Sequence, residues 1–318
     1  MTIDAILSDA EGDDERFDLA RLSIEAVDDD QLLWIDLDRP DADELETVRR
    51  ALRLPDDTWK AVMAEPTKAD AFNRGAAVEV VLLALASDLT ESPLPLQVIV
   101  GAGWIVTRHA DPMPFLDERR ERVMDQREVG LLTPFDFLAS ILDWHVDSFF
   151  AAAEEFEREV DRLDEAALRS DRDLLDRLVH MRRRIARVRR ILPPHRGVLA
   201  ELARPDFLPE LDDAQRRLLA QVQRRLDMAA EAVAHAREML IGTFDVHMTR
   251  TAQRTNDIMR VLTLASVVLL PSVVLAGVMG MNFRVGMFEN ANLFWVVIGL
   301  MLVMAVSTLF WARWRRWL

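Results

Sequence analysis

The chain is 318 residues long, half of them hydrophobic, with a formal charge of −15 and no cysteine. Without cysteine there are no disulfides and no thiolate metal sites, as suits a reducing compartment, and the negative charge excludes nucleic acid as a partner while favouring cations. The charge is unevenly spread: residues 246–318 hold seven arginines against Asp257 and Glu289, a balance of +5 that leaves −20 on residues 1–245.

The N-terminus, MTIDAILSDAEGDDERFDL, is acidic and lacks an apolar core, so no cleaved signal peptide is expected. Residues 1–110 read as a mixed α/β domain. Short apolar or β-branched runs at 32–37 (LLWIDL), 78–85 (VEVVLLAL), 96–100 (LQVIV) and 104–107 (WIVT) suggest strands. Gly101-Ala102-Gly103 then joins the last two as a hairpin, not as a phosphate loop, because no helix follows it. Residues 43–52 and 57–64 read as helices between the strands.

Residues 111–260 read as a helical hairpin and a long stalk. Leu138, Leu142, His145, Phe149, Ala152, Phe156 and Leu163 form one stripe at helical spacing. Leu174, Leu178, Met181, Ile185, Val188 and Leu192 form a second seam, which Pro193-Pro194 is expected to break. The two helices should pair. The arginines of RRRIARVRR (182–190) lie off that seam and read as a solvated, salt-bridged surface facing the acidic helix before it. From Asp212 no proline or glycine interrupts the pattern until Gly242, and helical character continues to Met281. Such a helix would be about 105 Å long at about 1.5 Å per residue, a rod that becomes a membrane helix.

Residues 261–312 read as a two-helix membrane domain. The run 261–281 carries no charge and is long enough to cross a hydrocarbon core of roughly 30 Å; a second uncharged run, 293–312, follows an outer loop at 283–292. Arg250, Arg254 and Arg260 before the first span, and Arg313, Arg315 and Arg316 in the basic tail 313–318, place both flanks in the cytoplasm by the positive-inside rule. Trp295, Trp311, Trp314 and Trp317 suit an aromatic belt. The reading is a multi-pass inner (plasma) membrane protein with cytoplasmic N- and C-termini.

At 100° per residue, Asp245, Met259, Thr263, Leu270 and Gly277 all fall within about 60° of Asn256. Asn256 and Thr263 can touch hydrated ions, Asp245 offers a carboxylate deeper in the cytoplasm, and Met259 and Leu270 suit either apolar constrictions or ordinary helix packing. Asp245 and His247, two residues apart, point to different faces. The span closes on Gly280-Met281-Asn282, where Asn282 also suits a helix C-cap.

These residues resemble the CorA-type divalent-metal channels and transporters, a superfamily with a zinc-transporting branch. The likeness covers nearly the whole chain: WIDLDRP in a mixed N-terminal domain, a helical hairpin, TNDIMRVLT entering the first span, Pro271 within it, GMNF at its outer end, a second span and a basic C-terminus. The resemblance implies an α+β cytoplasmic domain, a long helical stalk and two C-terminal transmembrane helices, assembled as a homopentamer in the lipid bilayer. Asn282 would then form a ring at the outer mouth, shaped by Gly280 and Met281, with Asp245, Asn256 and Met259 at further pore positions. Amide carbonyls suit hydrated Mg²⁺, an ion that dehydrates reluctantly.

The outer loop departs from the family pattern. Arg284 places positive charge beside the mouth and Glu289 is the sole loop carboxylate, which keeps zinc, cobalt or nickel open beside Mg²⁺. No resident cofactor is expected beyond transported Mg²⁺ (or Zn²⁺), which could also regulate by binding the acidic cytoplasmic surface. There is no HExxH, nucleophile elbow or Walker loop, so an enzyme is not expected. A membrane-anchored acidic scaffold or sensor is the alternative of a different class, and it has no use for Asn256, Thr263 and Asn282 on one spanning face.

Overall fold

The structure, a computed structural model, describes residues 2–8, 15–16, 31–63, 66–86, 88–89, 91–118, 133–169, 173–281 and 291–314. It divides into two compact units, Met1–Thr243 and Phe244–Leu318.

The first unit is built on a seven-stranded sheet in the order β2-β1-β3-β7-β6-β5-β4. The strands are β1 (Thr2–Ser8), β2 (Glu15–Arg16), β3 (Leu32–Asp38), β4 (Asp70–Asn73), β5 (Val78–Ala84), β6 (Leu94–Gly101) and β7 (Trp104–His109). All neighbours are antiparallel except β3 and β7, which run parallel with Asp36 opposite Thr107. Alternation divides β3 between two cores, because successive strand side chains point to opposite faces. Leu33, Ile35 and Leu37 join Val48, Leu52 and Leu54 on one side, while Leu32 and Trp34 join Phe137 and Leu138 on the other.

Helices α1 (Ala42–Leu52) and α2 (Asp56–Val62) cover the first face. A capping box starts α1: Asp41 Oδ1 accepts from the backbone N–H of Asp43 and Glu44, and Glu44 Oε2 accepts from that of Asp41. The second face carries α3 (Pro134–Arg169), α4 (Leu174–Leu202) and the first part of α5 (Asp213–Met279). The stripe from Leu138 to Leu163 and the seam from Leu174 to Leu192 are buried throughout, and α3 pairs with α4. Leu219, Val222, Leu226, Ala229, Val233, Ala236 and Leu240 complete this core from α5.

One sequence expectation is corrected, and two strands are added to those read from the sequence. Pro193 and Pro194 lie inside α4, which continues to Leu202. Proline removes the N–H bonds to the carbonyls of Arg189 and Arg190, but this part of the helix faces solvent, while Ile191, Leu192 and His195 keep the buried seam going. The acidic N-terminus holds a strand, β1, whose seven residues pair fully with β3. The edge strand β4 adds a further one at Asp70–Asn73.

The second unit contains α5 from Phe244 onward and α6 (Ala291–Trp314). Both helices are long and apolar enough to cross a membrane. Pro271 lies within unbroken helix. Trp295, Trp311 and Trp314 are exposed, and Trp317 lies outside the described residues.

Candidate functional site

Asp245, Asn256, Met259, Thr263, Leu270 and Gly277 stand on a single helix, so their common face follows from α-helical geometry. All six are exposed, Met259 at 55% and Leu270 at 65%. Thr263 Oγ1 donates to the Met259 carbonyl at 2.7 Å. With its hydrogen so used, the hydroxyl presents lone pairs outward and can accept from the water shell of a cation. Asp245 and Asn256 are 11 positions apart, about 16 Å along the helix, too far to share one ion.

Among the described residues, no group of three or more His, Asp or Glu side chains could hold a metal. That includes Asp245 and His247. A polar face on one helix does not by itself surround an ion.

The helix ends where the sequence places the Gly-Met-Asn tripeptide. Gly280 N–H donates to the Ala276 carbonyl at 2.9 Å, and Met281 N–H donates to Val278 at 3.3 Å, a tighter final turn. A Cβ on Gly280 would come within 3.3 Å of the Ala276 oxygen, so a bulkier residue would press on the turn. Asn282, Arg284 and Glu289 lie outside the described residues.

Two buried polar constellations in the first unit have no counterpart in the sequence reading. In one, His195 Nδ1 donates to the Ile191 carbonyl at 2.6 Å while its Nε2 accepts from the Leu83 N–H at 3.0 Å. His145 Nε2, 3.1 Å from His195 Nε2, must then be the donor between the two rings. This tautomer leaves His145 Nδ1 buried without a partner. Burial pushes His145 well below the usual imidazole range, with the neighbouring His195 adding to the effect, and burial lowers His195 to about 4 against the opposing bond to Ile191. Both rings are neutral near pH 7. Only His145 was legible as a stripe residue; its partner comes from beyond the proline pair.

In the other constellation, Trp34 Nε1 donates to Thr107 Oγ1 at 3.0 Å, and Thr107 Oγ1 donates to Asp36 Oδ1 at 2.5 Å. His109 Nε2 lies 3.3 Å from the same carboxylate oxygen, a charge contact rather than a well-aligned hydrogen bond, and His109 Nδ1 donates to the Asp111 carbonyl at 2.7 Å. Burial opposes the charged imidazole, but Asp36, aided by the Asp111 carbonyl and Asp38, outweighs it and raises the His109 pKa. The parallel register of β3 and β7 sets this cluster; the sequence reading put Trp34 and Asp36 on one strand and Thr107 on another without pairing them.

Comparison with known proteins bears on the whole chain. The family described as "CorA-like Mg2+ transporter protein" matches residues 29–314. The cobalt/magnesium transport protein CorA of Thermotoga maritima is 29% identical over 209 residues, which span 64% of this chain and only 58% of that relative. The zinc transport protein ZntB of Klebsiella pneumoniae subsp. pneumoniae is 23% identical over 305 residues, 90% of this chain and 87% of its own. Among solved structures, the CorA magnesium transporter from Methanocaldococcus jannaschii superposes with a TM-score of 0.84 at 21% identity, covering 98% of each chain. The α+β unit, long helix and pair of C-terminal apolar helices thus make up a CorA fold.

Proposed function

The chain belongs to the CorA-like Mg²⁺ transporter family, and from that premise we propose that it conducts hydrated divalent cations, Mg²⁺ foremost, through a pore lined by α5 in a homopentamer embedded in the inner membrane. One observation carries this reading: an exposed face bearing Asp245, Asn256 and Thr263 on the helix that enters the apolar span. These groups are too far apart to act on one ion within a single chain, yet each becomes a ring when copies of α5 surround an axis. Asp245 supplies charge at the cytoplasmic end, and Asn256 and Thr263 supply neutral oxygens that accept from a retained water shell. Met259 and Leu270, between and beyond them, form apolar rings that close by dewetting. Asn282, with Gly280 and Met281, forms the selectivity ring. In this reading the bilayer surrounds the two apolar helices, both termini are cytoplasmic, and Mg²⁺ at the acidic cytoplasmic surface feeds back on opening.

Reconstitution into liposomes tests the reading. Wild-type protein is expected to admit Mg²⁺ down its gradient, and Asn282→Ala to abolish or strongly reduce that flux while oligomers still form, because every amide of the ring is lost together. Unchanged flux in the variant would sink the pore assignment.

Zinc is the second reading. It is supported by the likeness to ZntB over 90% of this chain and by Arg284, which puts positive charge beside the proposed mouth. Mg²⁺ and Zn²⁺ uptake compared with and without a proton gradient separates the two: zinc uptake that requires the gradient, with no Mg²⁺ flux, selects zinc.

A further inference from the structure

Two cross-helix ion pairs fix the levels of α3 and α4. Arg177 Nη2 donates to Glu159 Oε1 at 3.3 Å, and Arg184 pairs with Glu155. As the number rises on one helix it falls on the other, so the pair is antiparallel and Glu154 and Glu157 stand level with Arg182 and Arg183. Those pairs occupy the sides that face each other. The outward sides carry something else.

On α4, Arg182, Arg183, Arg187, Arg189 and Arg190 make no ion pair or hydrogen bond among the described residues, which corrects the expectation of a salt-bridged surface; only Arg184 of this run is so engaged. At 100° per residue they lie within an arc of about 160°, opposite the buried seam of Leu178, Met181, Ile185 and Val188. Leu175 and Val179, 48% and 40% exposed, lie in the same arc nearer the hairpin tip.

On α3, Glu157, Asp161 and Asp164 are likewise without partners among the described residues, and Glu154 reaches Arg158 only at 3.7 Å. These carboxylates fall within about 80° of one another, on the far side from Phe156 and Leu163 and away from the line of contact with α4. Leu168, 49% exposed, lies among them at the tip end. One helix pair thus presents an acidic edge and a basic edge at overlapping levels, each flanked by exposed leucine toward the tip. Side chains lean toward the N-terminus of their helix, which tilts the α4 arginines toward the tip and the α3 carboxylates away from it, bringing the two rows closer in level.

Within one chain the edges point apart and cannot meet, and each crowds like charges that repel. A two-fold contact would set arginine against arginine. A head-to-tail contact sets each edge against its complement and repeats without exhausting either.

We propose that the arginine edge of α4 (182–190) docks on the carboxylate edge of α3, centred on Glu154, Glu157, Asp161 and Asp164, of the next copy of this chain. The inference deepens the ring assembly proposed above and rests on it: the contact supplies charge-paired closure around the cytoplasmic domains.

The absence of native cysteine makes the test direct. In full-length protein in detergent micelles, Glu154→Cys combined with Arg183→Cys is expected to give, on mild oxidation, a ladder of covalent multimers ending at the closed ring, whereas each single variant stays monomeric on a denaturing gel. Independently, reversing Arg182, Arg183 and Arg187 to Glu should raise the concentration at which the assembly dissociates by roughly tenfold or more at about 0.15 M ionic strength. Adding Glu154→Arg, Glu157→Arg and Asp161→Arg in the same chain should restore it, which guards against a mere folding defect. A wild type that runs as a monomer by native mass spectrometry overturns the ring assembly and this contact with it. An assembled wild type that yields no ladder, or whose single variants cross-link as readily as the double, overturns the contact alone. Charge sensitivity seen only in bilayers containing phosphatidylglycerol also overturns it and assigns the arginines to lipid headgroups.

Discussion

The two parts of α5 obey different rules. Up to Thr243 the helix carries a narrow buried line, Leu219, Val222, Leu226, Ala229, Val233, Ala236 and Leu240, packed into the core of its own unit. From Phe244 onward the same unbroken helix buries no residue; Ile258, Val261, Leu262 and Leu270 are each at least 60% exposed. Periodicity explains the contrast. A stripe needs a core on one side only, and the first part finds it in its own unit, whereas the second runs into a stretch long and apolar enough to cross a membrane. The first part is buried along one line and the second is exposed along its length.

The largest effect that can break this comparison is on packing. Leu226→Ala in the buried line should destabilise the first unit by about 2–5 kcal/mol, since it removes transfer energy and leaves a cavity. Leu270→Ala, a similar truncation on the exposed part, should leave that unit within about 0.5 kcal/mol of wild type while altering cation flux. Hydrogen exchange of β5–β7 peptides in the intact protein reports the first unit alone. If Leu270→Ala loosened those peptides as Leu226→Ala does, the two parts of α5 would share one core and the contrast would fail.

How far each part was legible follows from the same physics. Strands β3, β5, β6 and β7 are dense apolar runs, and the α3 stripe and α4 seam repeat at helical spacing, so all could be read directly. Strand β1 was missed because Asp4 and the acidic residues after Ser8 mask the apolar Ile3, Ala5, Ile6 and Leu7; its identity comes from pairing with β3, a long-range fact. Pro193-Pro194 looked like a terminator because local rules do not know that solvent can serve the carbonyls they leave unpaired. The face from Asp245 to Gly277 needed only an angle per residue. The partners of His145 and Asp36 needed sheet register and helix packing, which one-dimensional spacing does not contain. The opposed charged edges of the hairpin needed the levels that two ion pairs fix.

A second effect sharpens the contrast through acid. The buried His145–His195 pair belongs to the first unit, and its rings are held neutral because burial lowers both pKa values. The unfolded chain then binds more protons than the folded one below the ordinary imidazole value. This stability is fully present above about pH 6.5 and is lost as pH falls toward the folded value of about 4 for His195. Between pH 6.5 and 5 that loss is about 2 kcal/mol for this one group. The protection of the Leu83 amide, which donates to His195, corrected for the intrinsic pH dependence of exchange, should fall as pH drops through this window in wild type, and His195→Gln should flatten the dependence. An amide whose protection is constant from pH 7 to pH 5 would refute the assigned tautomers.

The smallest effect runs in the opposite direction and comes from the same unit. His109 is raised because, against burial, the charged imidazole gains from Asp36, the Asp111 carbonyl and Asp38. The folded chain therefore binds more protons than the unfolded one just above the ordinary imidazole value. Its contribution is whole below about pH 6.5 and disappears as pH rises through the folded pKa. Burial works against this gain, whereas in the His145–His195 pair burial is the main cause, so the alkaline loss should be the smaller of the two. The two sites thus act on the first unit in opposite directions, one losing stability below about pH 6.5 and the other above it. His109→Gln should remove only the alkaline limb, read as slower opening of the β3 and β7 amides at pH 8 relative to pH 6, with the acid limb unchanged. Loss of both limbs in that variant would mean that the two histidine sites report one shared opening of the sheet instead of separate titrations.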